Sequence, residues 1–582
     1  MNVVANPVGY SDSYKLSHIR LEIPGINMIY SNLTPRNTHY MESIYPDFDG
    51  KIVLFGLQAA LKKILINQWN EGFFKLPKSQ AIADMKRILD PYIGEYDMSH
   101  FEELHDLGYL PIEIKALKEG SVIKAGIPYF TIKNTLPKFE WLTNYLETIL
   151  SAEVWKPMTI ATISRQFRLL ANEYAIKTTG SIAGVEFQNH DFSMRGQDSA
   201  EAAAASGAGW LTSTMGTDNV PSLMWIEQYY NQDLGKNPVA GSVTASEHSL
   251  ATSAIQFFIT KKRKENNEES LIDKPATPEE LNQGELDYLN YLLDKIPAGI
   301  MSYVADSYDY WGFLSYILPK VKNKIMSRSG KLVVRPDTGN PVDVTCGIEF
   351  VDMSHESDLH SAAVFLLYQM NLTSTKSEET IENKFIWNNE YYKFTAKVGF
   401  DAYGLPEIYA VLNVEKYERT TEEKGTVETL WEIFGGKVNE KGYKVLDEHI
   451  GMIYGDGITY QREKEIFERL EAKGFASTNV VFGVGSYTMN QVTRDTLGTA
   501  IKATAVKMED GTLIPIYKDP KTDHKKKSAR GLLKIVKENN EFVLIDNVTE
   551  EDEQTGELNT VFKDGQLFNE MTFDEVKQNI WS

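Results

Sequence analysis

The chain has 582 residues, 42% of them hydrophobic and 24% charged, which excludes a disordered or collagen-like protein and leaves room for several buried cores. Its 60 basic and 81 acidic side chains give a formal net charge of −21, which disfavours non-specific binding to nucleic acid. The single cysteine, Cys346, excludes an intrachain disulfide framework and any multi-cysteine zinc site and fits a cytoplasmic location. No apolar run reaches the roughly 18 residues of a membrane span, and the N-terminal segment lacks the basic and apolar regions of a secretory signal.

In chain order, the first 150 residues predict an α+β region. Helical patterns cover about 53–70 and 79–92, and 109–135 reads as three short strands broken by Gly and Pro turns. Amphipathic helices follow at 141–155 and 163–178. The Ala-rich stretch 198–212 predicts a helix capped by Asp198 or Ser199. From about residue 185 a rhythm sets in: an apolar, β-branched run ends abruptly in a polar turn bearing Gly or Asp. It recurs at GVEFQNHDFSMRG (184–196), GIMSYVADSYD (299–309), KLVVRPDTGNP (331–341), HIGMIYGDGITY (449–460) and NVVFGVGSYTMN (479–490), with a weaker copy at 239–249. Strands that stop in such loops, with helical sequence between them, predict a β/α barrel over 151–499 with its chemistry at the carboxyl ends of the strands. The charged stretch 261–285 predicts an exposed loop leading into a helix. Residues 343–448 are too many for a simple connection and hold strand-like runs, so they predict a subdomain inserted in the barrel. The part from about 500 to 582 returns to short strands and charged turns.

Motif chemistry narrows the function. Walker A, GxGxxG, HExxH and GxSxG sequences are absent. Gly483, Gly485 and Ser486 join a strand to a helix and would leave backbone N–H groups for a phosphate; Gly455-Asp456-Gly457 has the same character. Phosphate sites in such barrels commonly follow the last two strands. Arg335 and Asp337 share one strand-end turn: the carboxylate suits ribose hydroxyls or hydrated Mg²⁺, the arginine a phosphate or carbonyl oxygen, and a salt-bridged turn is the plainer alternative. Asp306 and Asp309 invite the same reading. Glu247-His248 opens a helix; a histidine beside strand-end carboxylates suits general or nucleophilic work, against a purely structural role. The basic run KDPKTDHKKKSAR (518–530) reads as a solvated charge run or as a phosphate-binding loop.

Taken in order, SDSYKLSH (11–18), TPR (34–36), FGLQ (55–58), HDFSMRG (190–196), GTD (216–218), SEHS (246–249), ADSYD (305–309), RPDTGNP (335–341), GDG (455–457), the FG-x-G turn at 482–485 and KDP (518–520) resemble the motifs of nicotinamide phosphoribosyltransferases, a type II phosphoribosyltransferase family. The likeness covers both ends and the middle of the chain. Each motif is short; the ordered set is specific. It implies an irregular β/α barrel with a second β-rich α+β domain built from both chain ends, so that 1–150 is completed by 500–582. It also implies a homodimer with shared active sites, and the joining of nicotinamide to 5-phosphoribosyl-1-pyrophosphate to give nicotinamide mononucleotide and pyrophosphate, with no nucleic acid or membrane partner.

Carried over residue by residue, the resemblance implies that Phe192 and the partner subunit's Tyr14 sandwich the pyridine ring. Asp218 accepts from the carboxamide NH₂, and Arg335 faces its oxygen, with Ser302 and Arg195 nearby. Asp337 holds ribose hydroxyls, and Asp306 and Asp337 hold Mg²⁺ through water. Gly455, Asp456, Gly485 and Ser486 line the 5′-phosphate. Arg36, Arg494, Lys502, Lys518 and Lys526 neutralise phosphate and pyrophosphate, several across the dimer. His248, preceded by Glu247, matches the histidine that this family phosphorylates from ATP. An aspartate at 218 implies nicotinamide rather than nicotinate. Departures from the family pattern are Met194 in place of an aromatic, Ser486 and Tyr487 in place of glycines, and Gly451 in place of an arginine. Three rivals remain. Nicotinate phosphoribosyltransferase is opposed by Asp218. A silent binding protein is opposed by the retained charged residues. An unrelated barrel hydrolase leaves the basic loop unexplained.

Overall fold

Seven short parallel strands lie side by side in the order Gly216–Thr217, Asn189–Asp191, Val480–Val484, Ile450–Tyr454, Leu332–Arg335, Met301–Val304 and Thr244–Ala245 in the computed structural model, which describes residues 5–370, 372–518 and 528–582. Leu332 stands opposite Ile450 on one side and Met301 on the other. A parallel bridge between Gly216 and Gly241, with Thr217 N–H donating to Gly241 O at 3.2 Å, brings the two edges of the sheet together. The closed sheet is an irregular β/α barrel. The inner strands are largely buried on both faces, as in Ile450–Tyr454, where all five residues are buried, while the edge strand Thr244–Ala245 is exposed; this is why the inner strands read as apolar runs rather than as alternation.

A second, largely antiparallel sheet has the order Leu513–Pro515, Ala500–Met508, Ile26–Thr34, Phe130–Asn134, Ile112–Ala116, Asn559–Lys563 and Gln566–Leu567. Ile26–Thr34 thus lies between a strand from residues 500–508 and one from 130–134, so the two ends of the chain share one sheet. The buried Lys115 Nζ donates to the Glu553 carboxylate at 3.0 and 3.1 Å and to Gln554 Oε1 at 2.9 Å, tying the Ile112–Ala116 strand to a C-terminal turn.

Two expectations change. The helices expected at 141–155 and 163–178 are in fact a short helix, Trp141–Tyr145, and one 33-residue helix, Glu147–Thr179, that runs through Pro157. Val154, Pro157, Met158 and Ala161 are all buried on it, so tertiary packing holds the helix across a residue that would break an isolated one. In the stretch from 343 to 448, the part with its own core is smaller: the strands Val351–Asp352, Glu378–Trp387, Glu390–Phe400 and Pro406–Lys416 with the helix Leu359–Gln369. The flanking helices Pro341–Cys346 and Thr426–Phe434 pack into the main core. Among the described residues no helix is long and apolar enough to cross a membrane.

Substituting Lys115→Met leaves the buried Glu553 with only Lys133, at 3.8 Å, as a cation and is expected to destabilise the protein by about 3 kcal/mol. The check is the urea midpoint; adding Glu553→Leu to the same chain is expected to recover most of the loss.

Candidate active site

Each barrel strand ends in a loop that delivers a functional group to the same side. Phe192 follows Asn189–Asp191; Arg335 ends its strand and Asp337 follows two residues on; Gly455 and Gly485 each directly follow a strand. These residues, with Arg195, Asp456 and Ser486, line a cavity of about 760 Å³. Ile458, Thr459, Arg462 and Tyr487 complete its wall.

The aromatic seat is made by close backbone approach. Phe192 N–H donates to Val484 O at 3.0 Å, and its ring lies across Gly483: a Cβ there would fall 2.1 Å from Phe192 Cδ2. Beside it, Asp218 N–H donates to Asp191 O at 3.0 Å, and Ser242 Oγ donates to Asp218 Oδ1 at 2.6 Å. The buried Asp191 accepts from Ser193 N–H and from Asn219 Nδ2, so one carboxylate fixes both the Phe192 loop and the Asp218 loop; burial raises its pKa from the ordinary value.

A second group centres on Asp306, whose side chain is 2% exposed. Its Oδ2 accepts from Asp337 N–H at 2.9 Å and Thr338 Oγ1 at 2.8 Å. Its Oδ1 has no hydrogen-bond partner among the described residues and stands 3.5 Å from His248 Nε2, which is 3.9 Å from Asp337 Oδ2. Ser307 Oγ lies 3.2 Å from His248 Nδ1. Arg335 Nη2 donates to Ser246 O at 2.9 Å; the buried Ser302 Oγ and Arg335 Nε lack partners. Asp309, read beside Asp306 in the sequence, instead caps a helix start by accepting from Gly312 N–H at 2.9 Å. Glu247 is exposed at the helix N-cap, and its carboxylate accepts from Ser249 Oγ. No metal-holding group of three or more His, Cys, Asp or Glu occurs among the described residues. Asp306 and Asp337 are a two-carboxylate pair, which suits an ion that keeps most of its water.

The remaining predicted residues lie elsewhere on the protomer. Glu147 pairs with Lys15 and stands 3.9 Å from Lys502. Burial holds the Lys502 ammonium below its usual pKa, and Arg36, Lys15 and Lys518 push it in the same direction. Arg36 Nε donates to Gly498 O at 2.7 Å, and Arg494 pairs with Asp495 at 3.2 Å. Tyr14, 57% exposed, is on the helix Ser13–Ser17 that carries Lys15. None of Tyr14, Arg36, Arg494, Lys502 and Lys518 lines the cavity of its own protomer. Lys526 lies outside the described residues. Sequence reading missed Arg462, Ser307 and Thr338. Thr338 directly follows Asp337, and Arg462 falls in the first turn of the helix after Gly457, positions legible only once the turn and the helix start at Thr459 are placed.

The fold and cavity define a β/α-barrel enzyme with a polar strand-end site. The model of the nicotinate phosphoribosyltransferase (NAPRTase) family matches residues 187–566. Relatives named nicotinamide phosphoribosyltransferase come from Acinetobacter baylyi (39% identical, covering 100% of this chain and 98% of that one), Xanthomonas campestris pv. campestris (29%; 99% and 98%) and Mycoplasma pneumoniae (30%; 89% and 93%). Among solved structures, human nicotinic acid phosphoribosyltransferase aligns with 14% identity and a TM-score of 0.46, covering 98% of this chain and 91% of that one. The chain belongs to the nicotinate phosphoribosyltransferase family.

Gly483→Ala is expected to push the Phe192 ring out of its seat while the barrel stays folded. Whatever planar ligand stacks there should bind at least about tenfold more weakly, with the circular dichroism spectrum unchanged.

Proposed function

We propose that the protein transfers the phosphoribosyl group of 5-phosphoribosyl-1-pyrophosphate to nicotinamide, giving nicotinamide mononucleotide and pyrophosphate in NAD salvage. The observation that carries this is the cavity itself: one aromatic face, arginines and two carboxylates at the ends of parallel strands, in a chain whose full-length relatives are named nicotinamide phosphoribosyltransferase.

The pyridine nitrogen is already a neutral nucleophile, so no strong base is required. The costly step is departure of pyrophosphate from ribose C1, through a transition state with oxocarbenium character. Phe192 stacks on the ring and holds it in line for attack, with Tyr14 of the partner subunit on the other face. Asp218 has Oδ1 occupied by Ser242, which leaves Oδ2 to accept from the carboxamide NH₂. Arg335 and Ser302 supply donors near the carboxamide oxygen, matching their unpartnered buried atoms. Asp337 orients the ribose hydroxyls. Asp306 and Asp337 would hold a hydrated Mg²⁺, which when bound supplies positive charge for the leaving group. The basic residues around Glu147 serve the phosphates of a partner's cavity in a homodimer; this reading accounts for their distance from the cavity of their own protomer. His248, between two carboxylates, takes a phosphoryl group from ATP, coupling ATP hydrolysis to the transfer.

Two substitutions test this. Nicotinate would bring a carboxylate against Asp218: at about 4 Å and an effective dielectric of about 20 the repulsion is roughly 4 kcal/mol, and screening at this exposed position leaves about tenfold discrimination. Asp218→Ser is expected to narrow the preference for nicotinamide over nicotinate by about that factor in kcat/KM; an unchanged ratio overturns the role of Asp218. With ATP present, His248→Ala is expected to abolish the stimulation of mononucleotide formation while leaving the ATP-independent rate within about threefold of wild type. Product from nicotinate alone would keep the chemistry and reverse the substrate.

A further inference from the structure

Arg462 is not accounted for by the strand-end motifs. It lies in the first turn of the 13-residue helix Tyr460–Ala472, where Thr459 caps the helix by accepting from its backbone N–H at 3.3 Å. Its side chain turns back over the Gly455-Asp456-Gly457 loop, and Nη1 donates to Gly457 O. Gly457 has φ +63°, and a Cβ there would come within 2.8 Å of that Nη1, so the glycine leaves the space the guanidinium uses. One N–H of five is occupied, which leaves a fork facing the cavity.

Within one protomer this cation sets the sign of the cavity wall. Arg195, Arg335 and Arg462 face Asp337 and Asp456; without Arg462 the wall is neutral, in a protein of net charge −21. The backbone offers little substitute. The helix after Gly485, Ser486–Asn490, has only five residues, so its dipole is weak, and Ser486 Oγ packs against Gly196. Anion binding at this end must therefore draw on a side chain.

We infer that Arg462 binds the 5′-phosphate of the phosphoribosyl substrate, forming a bidentate contact over the Gly455-Asp456-Gly457 loop. The inference rests on the reading of the cavity as a 5-phosphoribosyl-1-pyrophosphate site. It assigns the 5′-phosphate rather than the pyrophosphate because the Arg462 guanidinium is held on the Gly457 carbonyl, whereas the carboxylate pair suited to Mg²⁺, the natural partner of pyrophosphate, is Asp306 with Asp337 beside His248.

The test is titration calorimetry of the full-length wild type, Arg462→Gln and Arg462→Lys with ribose 5-phosphate and, separately, with pyrophosphate and Mg²⁺. Arg462 is exposed, so neither substitution threatens the fold. Arg462→Gln should bind ribose 5-phosphate about ten- to a hundredfold more weakly, Arg462→Lys should fall between, and pyrophosphate affinity should be unchanged. Equal ribose 5-phosphate affinity in Arg462→Gln and wild type, a loss confined to pyrophosphate, or no ribose 5-phosphate binding by the wild type overturns the inference. If the wild type binds ribose 5-phosphate through Arg462 yet forms no mononucleotide, the proposed reaction fails and the phosphate site stands.

Discussion

The Asp306 carboxylate is the contact on which the strand-end site depends. One oxygen receives two donors from the loop after Leu332–Arg335, and the other, buried and unpartnered, points toward the histidine that opens the helix after Thr244–Ala245. The side chain thereby ties its own strand-end loop to the loop after Leu332–Arg335 and turns its free oxygen toward a third. A buried carboxylate oxygen without a donor is costly unless something else in the site uses it. That cost explains why the group sits at the carboxyl end of a strand, where side chains from several loops and any ligand can reach it.

Charge is distributed as sharply as shape. The protein is acidic overall, yet cations gather at two places: the cavity wall and the patch where Lys15, Lys502 and their neighbours surround Glu147. The depression of Lys502 shows the stress of the second cluster, since crowding and burial both oppose its charge. An anion would relieve both. The patch joins Lys15 and Arg36 to Lys502 and Lys518 around Glu147, helped by the pairing of Ile26–Thr34 with Ala500–Met508. The two-ended sheet thus gathers segments that are some 470 residues apart in sequence, as in the Asn32 contact to Lys502 O.

The barrel was legible because most of its strands are buried on both faces and each apolar run stops at a polar turn, a pattern that survives in a single sequence. Residues that end those runs, Arg335, Asp337, Gly455 and Gly485, were readable as cavity candidates for the same reason, and they meet around one cavity with Phe192, which the resemblance supplied. What was not legible depends on packing rather than pattern. Pro157 predicts a break, yet the buried face carries the helix across it. Asp306 and Asp309 look alike in ADSYD, but only geometry sends one to the site and the other to a helix cap. Arg462 stayed hidden because its importance lies in the side chain folding back over a loop five residues earlier. The roles given to Tyr14, Arg36 and the lysines came from resemblance, since no local property of those segments reports what they face in an assembly.

The glycines of the two phosphate-like turns separate positions that chemistry demands from positions that only history supplies. At Gly483 any side chain collides with the Phe192 ring, so the aromatic seat itself requires glycine. Gly485 has nothing within 4 Å of a would-be Cβ, and the next residue has become Ser486 without loss of packing because Gly196 across the loop makes room for its hydroxyl. A backbone cradle that carries side chains is less able to wrap an anion closely, and the helix behind it is too short to add much field. A guanidinium reaching in from a longer helix supplies full charge and a planar fork instead. A serine in the turn is thus compatible with an anion site whose charge comes from a side chain.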